Sequence, residues 1–328
     1  MKSLKFIWID DDPTRKHYIH GLEGIAYKTG QAKYHAQVEF INLKGKSSEG
    51  ISKKQLKGAD LIIIDYILSA SENTNRLGST LAASISEVHP SIPIFGVTAD
   101  DNFSRVTNQT VHAYEDLLPI TEVSSYYRRF FIAATTFKTY RGRVPQVAAG
   151  LIKLLRPPKS EVSMMSNIVP RREANRALTI KDIYRFVNEL YSKPGPLLDA
   201  NWTANLIGLS KSGFKKVEAL FKDAEYSGVF CDDTNKRWWR GKVKEIVFSK
   251  AVGAESSLPW EAGRYLRKFA PSDYAKCEFC GDPYPEALGF RDTGDSPTIV
   301  PLHIRCSQSH PGFKKELYFE DIRLMNEQ

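Results

Sequence analysis

Three consecutive carboxylates, Asp10, Asp11 and Asp12, end the apolar run "KFIWI" and precede Pro13. Asp65 ends a second apolar run, "ADLIIID", and the hydroxyl of Thr98 falls near the end of a third, "IPIFGVTA". Like charges crowded at the end of a buried segment repel one another, so a metal ion, a basic neighbour or solvent must compensate them. Two adjacent carboxylates and a third from another segment can converge on one hard ion. Mg2+ takes a few carboxylate oxygens and keeps several waters, which leaves room for a phosphoryl group. A carboxylate can also accept a phosphoryl group itself and hold it as an acyl phosphate. Thr98 is placed to bond one oxygen of such a group, while Asp12 is expected to cap the following helix or face solvent.

A second constellation lies far down the chain. Cys277-x2-Cys280 and His303-x2-Cys306 are two ligand pairs at a spacing that suits tetrahedral Zn2+. Gly281 permits a tight turn after the first pair. His310, at Cys306-x3, is an alternative fourth ligand. A filled four-ligand site is structural and leaves no open position for catalysis.

The chain that must position these groups has 328 residues, 42% hydrophobic and 26% charged, enough for two or three domains. No window approaches the roughly 20 apolar residues of a membrane span. The N-terminus enters a strand-like run without a leader-type apolar region. Four cysteines, three of them clustered late, point to metal rather than a disulfide framework. A cytoplasmic protein with no membrane partner is expected. Residues 1–125 carry 13 Lys and Arg against 15 Asp and Glu, leaving 33 against 23 for the remainder. The basic back half suits a polyanion.

Within the first 125 residues, "KFIWI", "QVEFINL", "ADLIIID", "IPIFGVTA" and "AYEDLLPI" read as strands separated by helical spacing, such as "GSTLAASISEVH". That alternation predicts a doubly wound, five-stranded parallel sheet in an α/β domain. Ligands of such sheets bind outside the carboxyl ends of the strands. Asp10, Asp11, Asp65 and Thr98 all fall at such ends.

These residues resemble the receiver domains of two-component response regulators. "IWIDDDP" is similar to the family's first-strand acidic motif, "DLIIIDYIL" to its third strand and "IFGVTAD" to its fourth. The resemblance covers about residues 3–125, a little over a third of the chain. It implies Mg2+ binding by Asp10, Asp11 and Asp65, phosphorylation at Asp65, Thr98 as the switch hydroxyl, and a sensor histidine kinase or phosphotransfer protein as partner. Two departures stand out. The family carries a lysine before the proline of the fifth strand, whereas this chain has Leu118 before Pro119. The stretch "YILSASENTNRLG" after Asp65 is longer than the family norm.

Residues 126–172 read as a helical connector and linker. Beyond them, "ALTIKDIYRFVNELY" is an amphipathic helix opened by a capping pattern, Thr179 to Asp182. In "NWTANLIGLSKSGFKKVEALFKD", Gly208 suits a sharp turn and Ser210 a helix cap, with Phe214, Val217 and Leu220 pointing inward. This resembles a helix-turn-helix, with Ala204 at the helix crossing. "SGVFCDDTNKRWWRGKVKEIVF" reads as two strands about a turn at Asp232–Lys236, similar to the wing of a winged-helix domain. The resemblance implies DNA binding through Lys211, Ser212, Lys215 and Lys216 on the second helix, and through Lys236, Arg237 and Arg240 at the wing.

The resulting expectation divides the chain into a receiver-like domain at 1–125, a connector at 126–172, a mainly helical winged-helix-like domain at 173–252 and a zinc-binding module at 253–328. The last resembles treble-clef or zinc-ribbon modules. The function expected of the whole chain is DNA binding, as a transcriptional regulator modulated by phosphorylation at Asp65 or by a partner, with a homodimer as an expected arrangement. A non-DNA-binding signalling adaptor is the alternative. The zinc module also has a faint likeness to HNH nucleases, but no Asp-His pair precedes the second ligand set, so no enzyme is expected.

Overall fold

Phe6 and Trp8 alternate with Ile7 and Ile9 along one strand, Lys2–Asp10 (β1), and all four are fully buried. A strand buried on both faces needs a packed layer on each side. The computed structural model supplies both layers. It describes residues 1–29, 32–44, 51, 53–70, 74–99, 113–171, 177–192, 194–283, 285, 287–291, 298–303, 305–306 and 313–315.

The chain divides into two units. The first comprises Met1–Gln146 and Arg172–Arg185, the second Val147–Arg171 and Phe186–Gln328. The expected connector at 126–172 is therefore shared between them, and residues 172–185 rejoin the first unit.

In the first unit, β1 is followed by helix Lys16–Glu23 (α1) and strands Ala26–Thr29 (β2) and Ala32–Asn42 (β3). Next come helix Lys53–Leu56 (α2) and strand Leu61–Asp65 (β4). A hairpin of Ile67–Ala70 (β5) and Thr74–Leu77 (β6) leads into helix Gly78–Val88 (α3). Strands Ile94–Thr98 (β7) and Asp116–Pro119 (β8) complete the sheet, and helix Val123–Tyr140 (α4) follows. The sheet has six strands in the order β2-β3-β1-β4-β7-β8. Its five parallel strands run in the sequence order 2-1-3-4-5, the flavodoxin-like winding of open α/β sheets.

The expected five-stranded parallel sheet is thus extended by an antiparallel edge strand, β2, paired from Ala26↔His35 to Thr29↔Ala32. The short segment "AYKT" is too polar and too brief to announce a strand by itself. Its partner β3 runs 11 residues, and the hydrogen-bonding edge it offers recruits β2. One face of the sheet packs Ile7, Ile9, Ile62, Ile64 and Ile94 against Leu81, Ala82 and Ile85 of α3. The other carries rings: Phe6 meets Phe131 at 5.4 Å and Phe95 meets Phe130 at 4.9 Å, both partners on α4. Burying such rings contributes about 2–3 kcal/mol apiece, so α4 belongs to this domain rather than to a linker.

The second unit contains helices Ala148–Leu155 (α5) and Lys159–Ile168 (α6), and the end of Ile180–Ser192 (α7). Strand Leu197–Leu198 (β9) follows, then the short helices Ala200–Leu206 (α8) and Lys211–Lys215 (α9). Gly208 turns between them at φ +71°, where a Cβ would strike the Trp260 carbonyl. The Ser210 hydroxyl accepts from the Gly213 N–H at 3.2 Å, as a cap should. Phe214 and Val217 are buried with Ala204, but Leu220 is 37% exposed because its segment is a 3-10 helix, Glu218–Ala224.

The expected wing is corrected. Trp238–Trp239 (β10) pairs antiparallel with β9, and the segment read as its second strand is helix Arg240–Lys250 (α10). Val243, Ile246 and Val247 explain this: they sit at helical spacing, and all three join the core of the unit. Helix Pro259–Ala262 (α11) follows. A three-stranded antiparallel sheet ends the described chain, with Ala287–Arg291 (β11) between Thr298–Leu302 (β12) and Phe313–Lys315 (β13). No helix among the described residues is long and apolar enough to cross a membrane.

Candidate functional site

Adjacent parallel strands β1 and β4 deliver Asp10 and Asp65 to the same edge of the sheet. Oxygens of Asp10, Asp11 and Asp65 lie within 4.8 Å of one another. Asp10 is fully buried and Asp65 4% exposed. Thr98, also fully buried, ends β7, one position beyond the Asp65 partner Val97. The sequence-predicted acidic residues are therefore brought together, with Thr98 on the adjoining strand.

Asp12 caps the next turn, Pro13–Arg15, where its Oδ1 accepts from the Thr14 N–H at 2.9 Å and the Thr14 hydroxyl at 2.7 Å. That turn delivers a residue the sequence reading missed. Arg15 Nη1 lies 3.0 Å from Asp65 Oδ1 and 3.3 Å from Asp10 Oδ2. Asp10 Oδ2 also accepts from the Trp8 indole at 3.1 Å, and its Oδ1 accepts from the Asp12 N–H at 2.8 Å. The signal was present in "DDDPTR": a Pro-initiated turn places the arginine five residues beyond Asp10, close enough to fold back.

Burial and the charge of Asp10 push Asp65 up to about 7, against the pull of Arg15. Burial also raises Asp10, while the Asp12 N–H, Arg15 and the Trp8 indole oppose it. Tyr114 lies close by. Its hydroxyl is buried with no hydrogen-bond partner among the described residues, and burial together with the Asp65 charge holds it above the usual phenol range. Gly78 makes this proximity feasible. A Cβ there would strike the Asp65 carbonyl and press on the Tyr114 hydroxyl, so only glycine lets the β5–β6 hairpin return so close. The donor set of three carboxylates, with an orphaned hydroxyl beside Asp65, fits a divalent cation carrying an oxygen-rich ligand. Leu118, where the receiver resemblance leads one to expect a lysine, is 1% exposed and contributes no charge.

In the second unit, ligand atoms of Cys277, Cys280, His303 and Cys306 also lie within 4.8 Å of one another. Gly281 turns the knuckle at φ +75°. Burial opposes ionisation of Cys277, but N–H groups of Cys280, His303 and Phe279 aimed at its sulfur bring the thiol down to about 6. His303 Nδ1 lies 3.3 Å from Cys280 Sγ, and Nε2 lies 3.1 Å from the Pro283 carbonyl. Donation of Nε2–H to that carbonyl leaves the Nδ1 lone pair facing the thiols, the usual outer-sphere arrangement of a metal-binding histidine. Three thiols and an imidazole so arranged fit Zn2+. His310 lies outside the described residues.

The proposed DNA contacts fare unevenly. Lys211, Ser212 and Lys215 are exposed on α9. Lys216 is held by Asp273, its Nζ 2.7 Å from each carboxylate oxygen. Lys236 pairs with Glu218 at 3.0 Å and Glu225 at 3.3 Å. Arg237 lies over the Tyr191 ring at 4.8 Å and donates to the Tyr191 carbonyl at 3.1 Å. Arg240 begins α10 rather than a wing strand.

No family model and no curated protein matches the chain. Solved structures similar to part of it include receiver domains. A response regulator receiver domain protein from Clostridium thermocellum is 15% identical, covering 42% of this chain and 97% of that one at a TM-score of 0.28. The receiver domain of Francisella response regulator 1452 is 17% identical, covering 40% and 97% at 0.29. Response regulator TrrA from Thermotoga maritima, in complex with Mg2+-BeF, is 18% identical, covering 36% and 86% at 0.24. The fold assignment rests on the strand order and on the carboxylates at the strand ends. The first unit has the doubly wound sheet that the receiver resemblance implied.

Proposed function

We propose that this chain is an atypical response regulator. Its first unit holds Mg2+ through Asp10, Asp11 and Asp65 and accepts a phosphoryl group at Asp65. Its second unit holds a structural Zn2+ through Cys277, Cys280, His303 and Cys306 and binds DNA. The observation that carries this reading is the convergence of three carboxylates at the carboxyl ends of neighbouring parallel strands, with Thr98 on the next.

In the transfer step an Asp65 oxygen forms the new P–O bond while the P–N bond of a partner's phosphohistidine breaks, and the departing imidazole takes a proton from solvent. The acyl phosphate, with a total charge of about −1.5 to −2 in place of the single carboxylate charge, would lie beside Arg15, Thr98 and Tyr114 and alter their bonding. Exposed Lys211, Ser212 and Lys215 support groove contact by α9. Lys216, Lys236 and Arg237 are better understood as internal ties.

The test is fluorescence anisotropy of the full-length chain with a pool of duplex DNA across salt concentrations, with and without Mg2+ and beryllofluoride. Salt-steep binding that shifts with the phosphoryl mimic in wild type and not in Asp65→Asn supports the reading. Binding that ignores the mimic removes Asp65 from control of DNA. Absence of binding in every condition favours the adaptor, in which both units dock proteins.

A further inference from the structure

One guanidinium nitrogen lies within hydrogen-bonding distance of both Asp10 Oδ2 and Asp65 Oδ1. Removing charges from water costs several kcal/mol per ion unless they are paired, so these two carboxylates need a cation. Arg15 provides it from a preset position. Asp12 caps the turn that carries it, and Arg15 N–H donates to the Asp12 carbonyl at 3.3 Å. The Arg15 side chain is itself 16% exposed, with its Nε 3.8 Å from Asp12 Oδ2.

A divalent ion bridging Asp10 and Asp65 would seek the same oxygens. Asp10 Oδ1 is held by the Asp12 N–H, and its Oδ2 is shared by Arg15 and the Trp8 indole. The Tyr114 hydroxyl independently marks the place as built for a ligand: 2% of Tyr114 is exposed, and its oxygen has no partner among the described residues. Leu118 offers no cation from the fifth strand.

We propose that Arg15 is a tethered counter-ion that closes the acidic site and competes with a divalent cation for Asp10 and Asp65. The inference rests on the receiver reading and adds its regulation. Cation binding requires Arg15 to release at least one carboxylate, so the divalent-ion affinity of this site is set by an arginine from the first turn. Trp8, bonded to the contested oxygen, is a natural reporter.

The experiment is calorimetric titration of Mg2+ into metal-stripped full-length protein, for wild type and Arg15→Gln, with thermal unfolding followed in parallel. Competition predicts that R15Q binds Mg2+ about tenfold or more tightly than wild type, the scale of a neighbouring opposite charge. It also predicts that Mg2+ raises the melting temperature of R15Q more than that of wild type. Equal or weaker binding by R15Q overturns the proposal, and if wild type still binds Mg2+ the receiver reading stands. Failure of both proteins to bind overturns the competition and removes Mg2+ from the proposed function as well. Should R15Q be unfolded without divalent ions, restoration of its far-UV circular dichroism by Mg2+ supports competition, and no restoration overturns it.

Discussion

Lys181 Nζ lies 2.8 Å from Glu115 Oε1, with the Glu115 side chain fully buried and that of Lys181 8% exposed. The ammonium also donates to the Ser86 hydroxyl at 2.8 Å, and the same carboxylate oxygen accepts from the Ile94 N–H at 3.2 Å. The pair fastens the segment after residue 171 into the receiver-like unit. Lys181→Met should cost about 3–5 kcal/mol, because it leaves a buried carboxylate without its cation. Glu115→Gln in the same background should recover part of that loss. Urea unfolding of the two single variants and the double variant measures the coupling, and a coupling near zero would show that the pair does not hold the segment.

Asp65 sets a pH dependence whose sign follows from its raised value. The ordinary Asp value is about 3.9, and in the folded chain Asp65 rises to about 7. The native state therefore binds its proton more tightly than the unfolded state does. Stability from this group is fully present below the unfolded value and is lost as pH rises through about 7. Without divalent ions, wild type should lose up to about 1.4 kcal/mol per pH unit relative to Asp65→Asn between about pH 5 and 7. Parallel slopes for the two proteins in chemical denaturation would refute the assignment.

The thiol cluster should carry one zinc ion per chain by elemental analysis. Cys277→Ser or His303→Ala should abolish it and lower the melting temperature of the second unit, since structural zinc contributes directly to folding. Chelator treatment of wild type should reproduce the loss. Retention of stoichiometric zinc by His303→Ala would point to His310 as the fourth ligand.

Lys211 and Lys215 are exposed on α9, whereas Lys216 and Lys236 are tied to carboxylates. Replacing Lys211 and Lys215 by Gln should weaken DNA binding and reduce the logarithmic salt slope by about 1 per residue. The same change at Lys216 should instead lower stability, by up to about 1 kcal/mol for a part-exposed pair. Anisotropy and thermal melts on both sets separate the two effects.

Local signals carried much of this molecule. The all-apolar "LIIID" is buried at every position, and its terminal Asp65 lies where a parallel sheet places ligand groups. Gly208, Ser210 and the Cys-x2-Cys knuckle express conformational needs of single residues, which a sequence states directly. Other features depend on distant partners. Lys216 reads as a free basic residue until Asp273, 57 positions later, is brought beside it. "KVKEIVF" has a short alternation that suggests a strand, and only the core made by Phe214, Phe221 and their neighbours selects the helical face. Arg15 was overlooked because its role depends on the close approach of Asp65 on another strand.

The order in which this chain is made differs from the order in which it can be completed. Val147–Arg171 belongs to the second unit, yet it is synthesised before Arg172–Arg185, which the first unit requires. At about 5–20 residues per second, Glu115 waits several seconds on the ribosome for Lys181. During that interval burying Glu115 as an ionised group beside β8 costs several kcal/mol, because Lys181 is not yet there to pair it. The receiver-like half, although encoded first, is therefore finished only after synthesis of the other half has begun.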